Sequence, residues 1–171
     1  METVMEWFMH PGARAPKAAF WIRLMAGWVF FWEGVIKFVL VNQGVGRFTK
    51  LGLPLPALTA DFVGGLEIAG GALLLLGLAT RLIAIPFIIE MVVAILSTKI
   101  SLFLGTSPLP LPPAPPTRGI WAVLHEVRSE WAQLIVCAFL FRAGAGRLSV
   151  DAFLARDHLR RRPVQRVSAA A

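Results

Sequence analysis

Eight ionisable side chains stand in stretches that are otherwise strongly apolar: Glu33, Lys37, Glu67, Lys99, His125, Glu126, Arg128 and Glu130. In a hydrocarbon setting each costs at least a few kcal/mol, so such residues mark a ligand site, a proton pathway or a structural pair. Glu33 and Lys37 are four apart and can pair along one helix face. Lys99 or Arg128 can reach Glu67 or Glu130 from a neighbouring helix. The tally is four carboxylates (Glu33, Glu67, Glu126, Glu130) against three cations (Lys37, Lys99, Arg128), with His125 beside them. One surplus carboxylate and a titratable imidazole leave room for proton exchange or for a ligand. A buried salt-bridge network that holds helices in register is the competing reading.

Glu67 has a distinctive setting, with Gly64, Gly70, Gly71 and Leu74 three, four or seven residues away. Small residues on that face let another helix approach closely, so Glu67 is expected at a tight crossing and away from lipid. Arg23 and Glu90 lie at comparable depth, about 8 to 11 Å from one surface, and are expected to pair structurally. Arg23 can alternatively snorkel to the interface.

Other chemistry is poorly supported. Only His125 lies in a span, which excludes bis-histidine haem ligation by this chain. No Cys/His cluster suggests a metal, and neither a phosphate-binding loop nor a nucleophile elbow is present. The single Cys137 cannot form an internal disulfide or a two-thiol centre. Met25 and Met91 read as packing residues. Trp28, Phe30, Phe31 and Trp32 suit either a quinone ring or an interfacial anchor belt.

The elements that position these groups follow from composition. The 171 residues are 57% hydrophobic and 16% charged, with a mean hydropathy of +0.69. Soluble domains average about 45–50% apolar and about 25% charged residues, so a water-soluble domain is excluded. Disorder is excluded because low hydrophobicity is its signature. Four segments approach the roughly 20 apolar residues a membrane helix needs: 18–41, 61–79, 82–104 and 120–141. The expected class is all-α, a polytopic membrane four-helix bundle over residues 18–141. A short N-terminal segment (1–17) precedes it and a basic tail (142–171) follows.

The formal charge of +7 invites a nucleic-acid reading, but its distribution argues against one. With both termini cytoplasmic, the inner flanks collect most of the Lys and Arg, which sets orientation in the membrane. Met1–His10 does not read as a signal peptide, and Trp7, Phe8 and Met9 suit an interfacial anchor. Residues 107–116 (SPLPLPPAPP) form a polyproline-like strap, either a stiff connector or a docking surface. Ser149 is placed to cap a short helix with Asp151 in its first turn, where a carboxylate suits the dipole. Val150, Phe153 and Leu154 suit the membrane surface, with Arg160–Arg162 facing either anionic headgroups or solvent. Arg23-Leu24-Met25-Ala26 and Arg81-Leu82-Ile83-Ala84 open spans one and three, which suggests two pseudo-repeated helical hairpins.

A set of short segments carries a family resemblance: GVIK (34–37), GLP (52–54), GLEIAGG (65–71), GLATR (77–81), MVVA (91–94) and GAGRLSVD (144–151). Their order and spacing over about residues 18–154 resemble the DoxX family. The resemblance implies a small four-helix protein of the bacterial inner membrane. It also implies partnership in quinone-linked or oxidative-stress complexes. Lys37, Glu67, Arg81, Glu130, Ser149 and Asp151 match positions associated with that family, and Gly70 falls within the GLEIAGG match. One departure stands out, since members often carry His at the end of the third span, where this chain reads Ser97-Thr98-Lys99.

Two functional readings follow. In the first, the chain is a redox-complex subunit that binds a quinone between Glu33, Glu67, His125 and Glu130. Electrons then go to a partner protein, because this chain has no cofactor of its own. In the second it is a scaffold without a ligand. Small-solute transport is third, and would need a homo-oligomer to supply enough spans.

Overall fold

The computed structural model describes residues 17–161, with side chains as far as Arg156. Its helices are α1 (Ala19–Val39), α2 (Val45–Lys50), α3 (Pro56–Leu76), α4 (Thr80–Leu104), α5 (Gly119–Glu126), α6 (Arg128–Ala143) and α7 (Val150–Arg161). No strand occurs among the described residues, as the all-α expectation required. Three helices, α1, α3 and α4, are long and apolar enough to cross a membrane. The anchor expected at Trp7, Phe8 and Met9 and the basic run Arg160–Arg162 lie outside the described side chains.

The long helices begin and end where local chemistry dictates. Pro56 occupies the first turn of α3, where a missing N–H costs nothing. That start lies five residues before the expected one. At the other end Gly77 adopts φ +70°, with the Leu78 amide bonded to Leu73 O at 2.9 Å. The chain then turns at once into α4. This 76–80 corner, the turn end, lies opposite the strap end that carries residues 105–118.

Glycine spacing sets how α1 meets α3. A Cβ added at Gly34 would lie 2.7 Å from Gly64 O, and one at Gly27 would lie 2.9 Å from Gly71 O. The two backbones therefore run in direct contact, the arrangement that small residues allow inside a membrane. These two helices make the most extensive pairing in the molecule, followed by α4 with α6. A stacked pair joins the two sets, with the rings of Phe30 and Phe87 3.7 Å apart and 5° from parallel. Ala26, Leu74, Ala84, Met91, Cys137 and Leu140 complete the core around it.

The fourth hydrophobic segment departs from expectation. Instead of one helix over 120–141 it forms two, α5 and α6, which meet at Val127. The interruption falls in the run His125-Glu126-Val127-Arg128-Ser129-Glu130, five polar residues in six, and is slight: the Val127 amide still bonds to Val123 O (2.9 Å) and the Trp131 amide to Val127 O (2.8 Å). The six-residue α2, between the first two expected spans, was also not expected.

At the turn end, Ser149 Oγ accepts the Ala152 amide at 3.1 Å and so caps α7 as expected. The Asp151 side chain does something different. Its carboxylate leaves its own helix and accepts the amides of Ala79 (2.8 Å) and Thr80 (3.3 Å), which caps the start of α4. Burial pushes the Asp151 carboxyl above its ordinary range, opposed by those two amides and by the charges of Arg23 and Arg81. The GLATR and GAGRLSVD segments thus interlock, with the Asp151 amide also bonded to Gly77 O at 3.0 Å. Asp151→Ala is expected to lose about 1–2 kcal/mol of stability, the scale of a lost helix cap. Asp151→Asn keeps an acceptor and should lose less, and thermal unfolding in detergent reads both.

Candidate functional site

The eight polar residues read as one cluster separate into distinct places. The central one joins three helices. Lys37 on α1 donates to Glu67 Oε1 on α3 at 2.8 Å, and its nitrogen lies 2.6 Å from Oε2. Glu90 on α4 reaches the same carboxyl, through a side-chain hydrogen bond and through charge.

The expected Glu33–Lys37 side-chain pair does not form. The Lys37 ammonium meets only the backbone oxygen of Glu33, at 3.5 Å, and turns its main contact to Glu67. The Glu33 side chain is exposed and reaches the triad through its charge on Glu90. The expected Arg23–Glu90 pair is also absent. Arg23 donates instead to Leu148 O at 2.8 Å and lies over the Phe20 ring. The reason is where the helices end. Counted from the 76–80 corner, Glu67 and Glu90 stand about 14 and 15 Å along their helices, at one level.

Local packing makes the triad site rigid. Gly70 sits one turn from Glu67, and a Cβ there would lie 2.6 Å from Phe87 Cζ. Phe87 is one turn below Glu90, so the Phe30–Phe87 stack forms the floor beneath both acids. Glu67 is 3% exposed and Lys37 is partly buried. On the α6 side, Cys137 is buried and feels the charge of Glu90. Gln133, one turn earlier on that face, donates from Nε2 to Met25 Sδ at 3.8 Å. Three polar atoms here are buried with no hydrogen-bond partner among the described residues: Glu67 Oε2, which has the Lys37 ammonium beside it, and Glu90 Oε2 and Gln133 Oε1, which have no ion-pair contact either.

Lys99 and Glu130 make a second ion pair, at 2.7 Å, between α4 and α6. It lies about 13 Å from Glu90 toward the strap end. His125, Glu126 and Arg128 form a third group at the α5–α6 break. His125 Nδ1 is 3.2 Å from Glu126 Oε1, and Arg128 Nη1 is 3.0 Å from His125 Nε2. His125 and Arg128 are exposed, and this group does not meet Glu67. Among the described residues no group of three or more His, Cys, Asp and Glu could hold a metal.

Glu90 and Gln133 are the residues that sequence reasoning misplaced or missed. Glu90 was assigned a structural partner at the wrong depth. Gln133 carries no charge and drew no notice, although a glutamine two residues after Trp131 in an apolar helix was a usable signal.

Comparison with known proteins bears on what this geometry serves. A relative from Mycobacterium tuberculosis, described as "Uncharacterized membrane protein Rv3486", is 38% identical over 150 residues, 84% of this chain and 85% of its own length. The DoxX family model matches residues 18–100. The chain belongs to the DoxX family. It is accordingly a membrane protein. A second relative, from Bacillus subtilis, is described as "Putative oxidoreductase CatD". It is 31% identical over 87 residues, half of this chain and 63% of the relative. No solved structure matches. The family model covers Lys37, Glu67 and Glu90, so the triad lies within the DoxX region, whereas Gln133 and the α5–α6 break lie beyond it.

Proposed function

We propose that this DoxX protein is the proton-handling membrane subunit of a redox complex, and that its Lys37–Glu67–Glu90 site takes a quinone. The observation that carries the reading is the pair of buried acceptors without partners, Glu90 Oε2 and Gln133 Oε1. Unpaired acceptors of this kind are costly when left dry. A hydroquinone offers two O–H donors and fits that need, and when bound it supplies two protons and two electrons.

The chain's own residues divide the remaining work. Glu90 accepts protons one at a time at Oε2, the second only after the first has left, and Gln133 orients the ring through its carbonyl oxygen. Lys37 holds the Glu67 carboxyl in place beside Glu90 while each proton passes. Glu33, exposed on α1 and charge-coupled to Glu90, gives that proton a way out of the helix interior. Electrons go to another protein, a reading supported by the relative described as an oxidoreductase. The complex would sit in a bacterial inner membrane with both termini in the cytoplasm, an orientation supported by the distribution of Lys and Arg.

A scaffold reading has its own support. Lys37–Glu67 clasps α1 to α3, and Lys99–Glu130 clasps α4 to α6, each pair about thirty residues apart in sequence. This matching placement also supports two pseudo-repeated hairpins. The readings part at Glu90. Mass spectrometry of the protein purified in mild detergent should find bound quinone, reduced at least about tenfold in Glu90→Gln, the scale of one lost hydrogen bond to a charged group. Equal quinone in both proteins, or none in either, would favour the scaffold.

A further inference from the structure

The turn end holds a second feature that the triad does not use. A cleft of about 570 Å³ opens there, lined by Lys17, Phe20, Trp21, Arg147, Leu148 and Arg156. The lining contains three cations, three apolar residues and no acid. The cations come from three separate segments: the residue pair before α1, the α6–α7 connection, and α7 itself. All three are exposed, and none makes an ion pair among the described residues.

Buried Arg23 builds this cleft from behind. Its guanidinium lies over the Phe20 ring at 5.7 Å and donates to Leu148 O at 2.8 Å, which ties both apolar walls together. Trp21 meets Phe20 edge to face at 5.1 Å, yet is 71% exposed, and Leu148 is 69% exposed. Trp21 is the third residue of α1, and so stands at the end of a membrane-crossing helix. Tryptophan is favoured at that level, between headgroups and acyl chains.

We propose that this cleft binds the headgroup of an anionic phospholipid, its phosphodiester held by Lys17, Arg147 and Arg156 and its upper acyl chain lying along Phe20, Trp21 and Leu148. Charge complementarity selects the anion, because three cations face the cleft without a compensating acid. The apolar walls select a lipid over a free phosphate, which would leave them unused. On α7, which also carries Arg156, the exposed Phe153 suits a helix lying at the interface.

Native mass spectrometry of the full chain in mild detergent tests the proposal, with phosphatidylglycerol and phosphatidylcholine of identical chains added in turn. Phosphatidylglycerol should be retained preferentially. Retention should fall about fivefold for each cation removed in Lys17→Gln, Arg147→Gln and Arg156→Gln. Arg156→Lys, which keeps the charge, should retain the lipid, and Arg156→Gln alone keeps the test readable if either of the other two variants fails to assemble. Equal retention of both lipids, undiminished phosphatidylglycerol in the Gln variants, or release of the lipid by millimolar inorganic phosphate would each overturn the assignment.

Discussion

Lys37→Met is expected to destabilise the protein by about 3–5 kcal/mol, the scale for removing one partner of a buried ion pair. Lys37 is the only cation in hydrogen-bond contact with Glu67 among the described residues. Without it, two carboxyl groups face one another at the crossing of α1, α3 and α4 with one negative charge unbalanced. The double variant Lys37→Met/Glu67→Gln leaves no such charge and should recover most of the loss. Unfolding in detergent titrated with a denaturing surfactant measures both. A double variant no more stable than Lys37→Met would show that the ammonium acts through packing and not through charge.

The second large effect is expected at Gly77. Here two constraints fall on one residue: φ is +70°, and an added Cβ would meet the Arg23 guanidinium. Gly77→Ala therefore forces a left-handed alanine and also displaces Arg23 from Leu148 O. The first costs about 1–2 kcal/mol. The second forfeits a charged hydrogen bond of about 1.5–3 kcal/mol. Gly52 is the control, because its φ is +67° but nothing lies within 4 Å of an added Cβ. Gly52→Ala should show the backbone cost alone. Equal melting temperatures for the two variants would mean that Arg23 adjusts freely and that the GLATR corner is less rigid than its contacts indicate.

Much of the architecture is legible in the chain because the relevant signals are local. Apolar length finds α1, α3 and α4, and the glycines around Glu67 announce a close crossing. Ser149 caps α7 through a contact three residues away, well within reach of spacing arguments. What escapes the sequence is set by angle and by distant partners. Asp151 has a helix of its own to serve, yet it caps α4, more than seventy residues away in sequence. Arg23 and Glu90 look like partners by depth, but each faces a different helix.

The candidate site shows the same division. The eight polar residues share a composition signal and not a location. A start of α3 five residues earlier than expected puts Glu67 at mid-helix, level with Glu90. Apolar residues recur at helical spacing on both sides of the polar run around Val127, so one continuous helix was expected where α5 and α6 form. Glu90 and Gln133 become interesting only once their lone acceptor atoms are located. No periodicity reports an unpaired oxygen.

The claim that a quinone occupies the triad site is open to a direct map. Photolysis of the purified protein with an azido-substituted quinone, followed by peptide mass spectrometry, identifies the residues it touches. Label on the α4 and α6 segments that carry Glu90 and Gln133, displaced by excess unlabelled quinone, is the predicted result. Label confined to the turn end around Trp21, or spread evenly over the lipid-facing helices, would contradict the account.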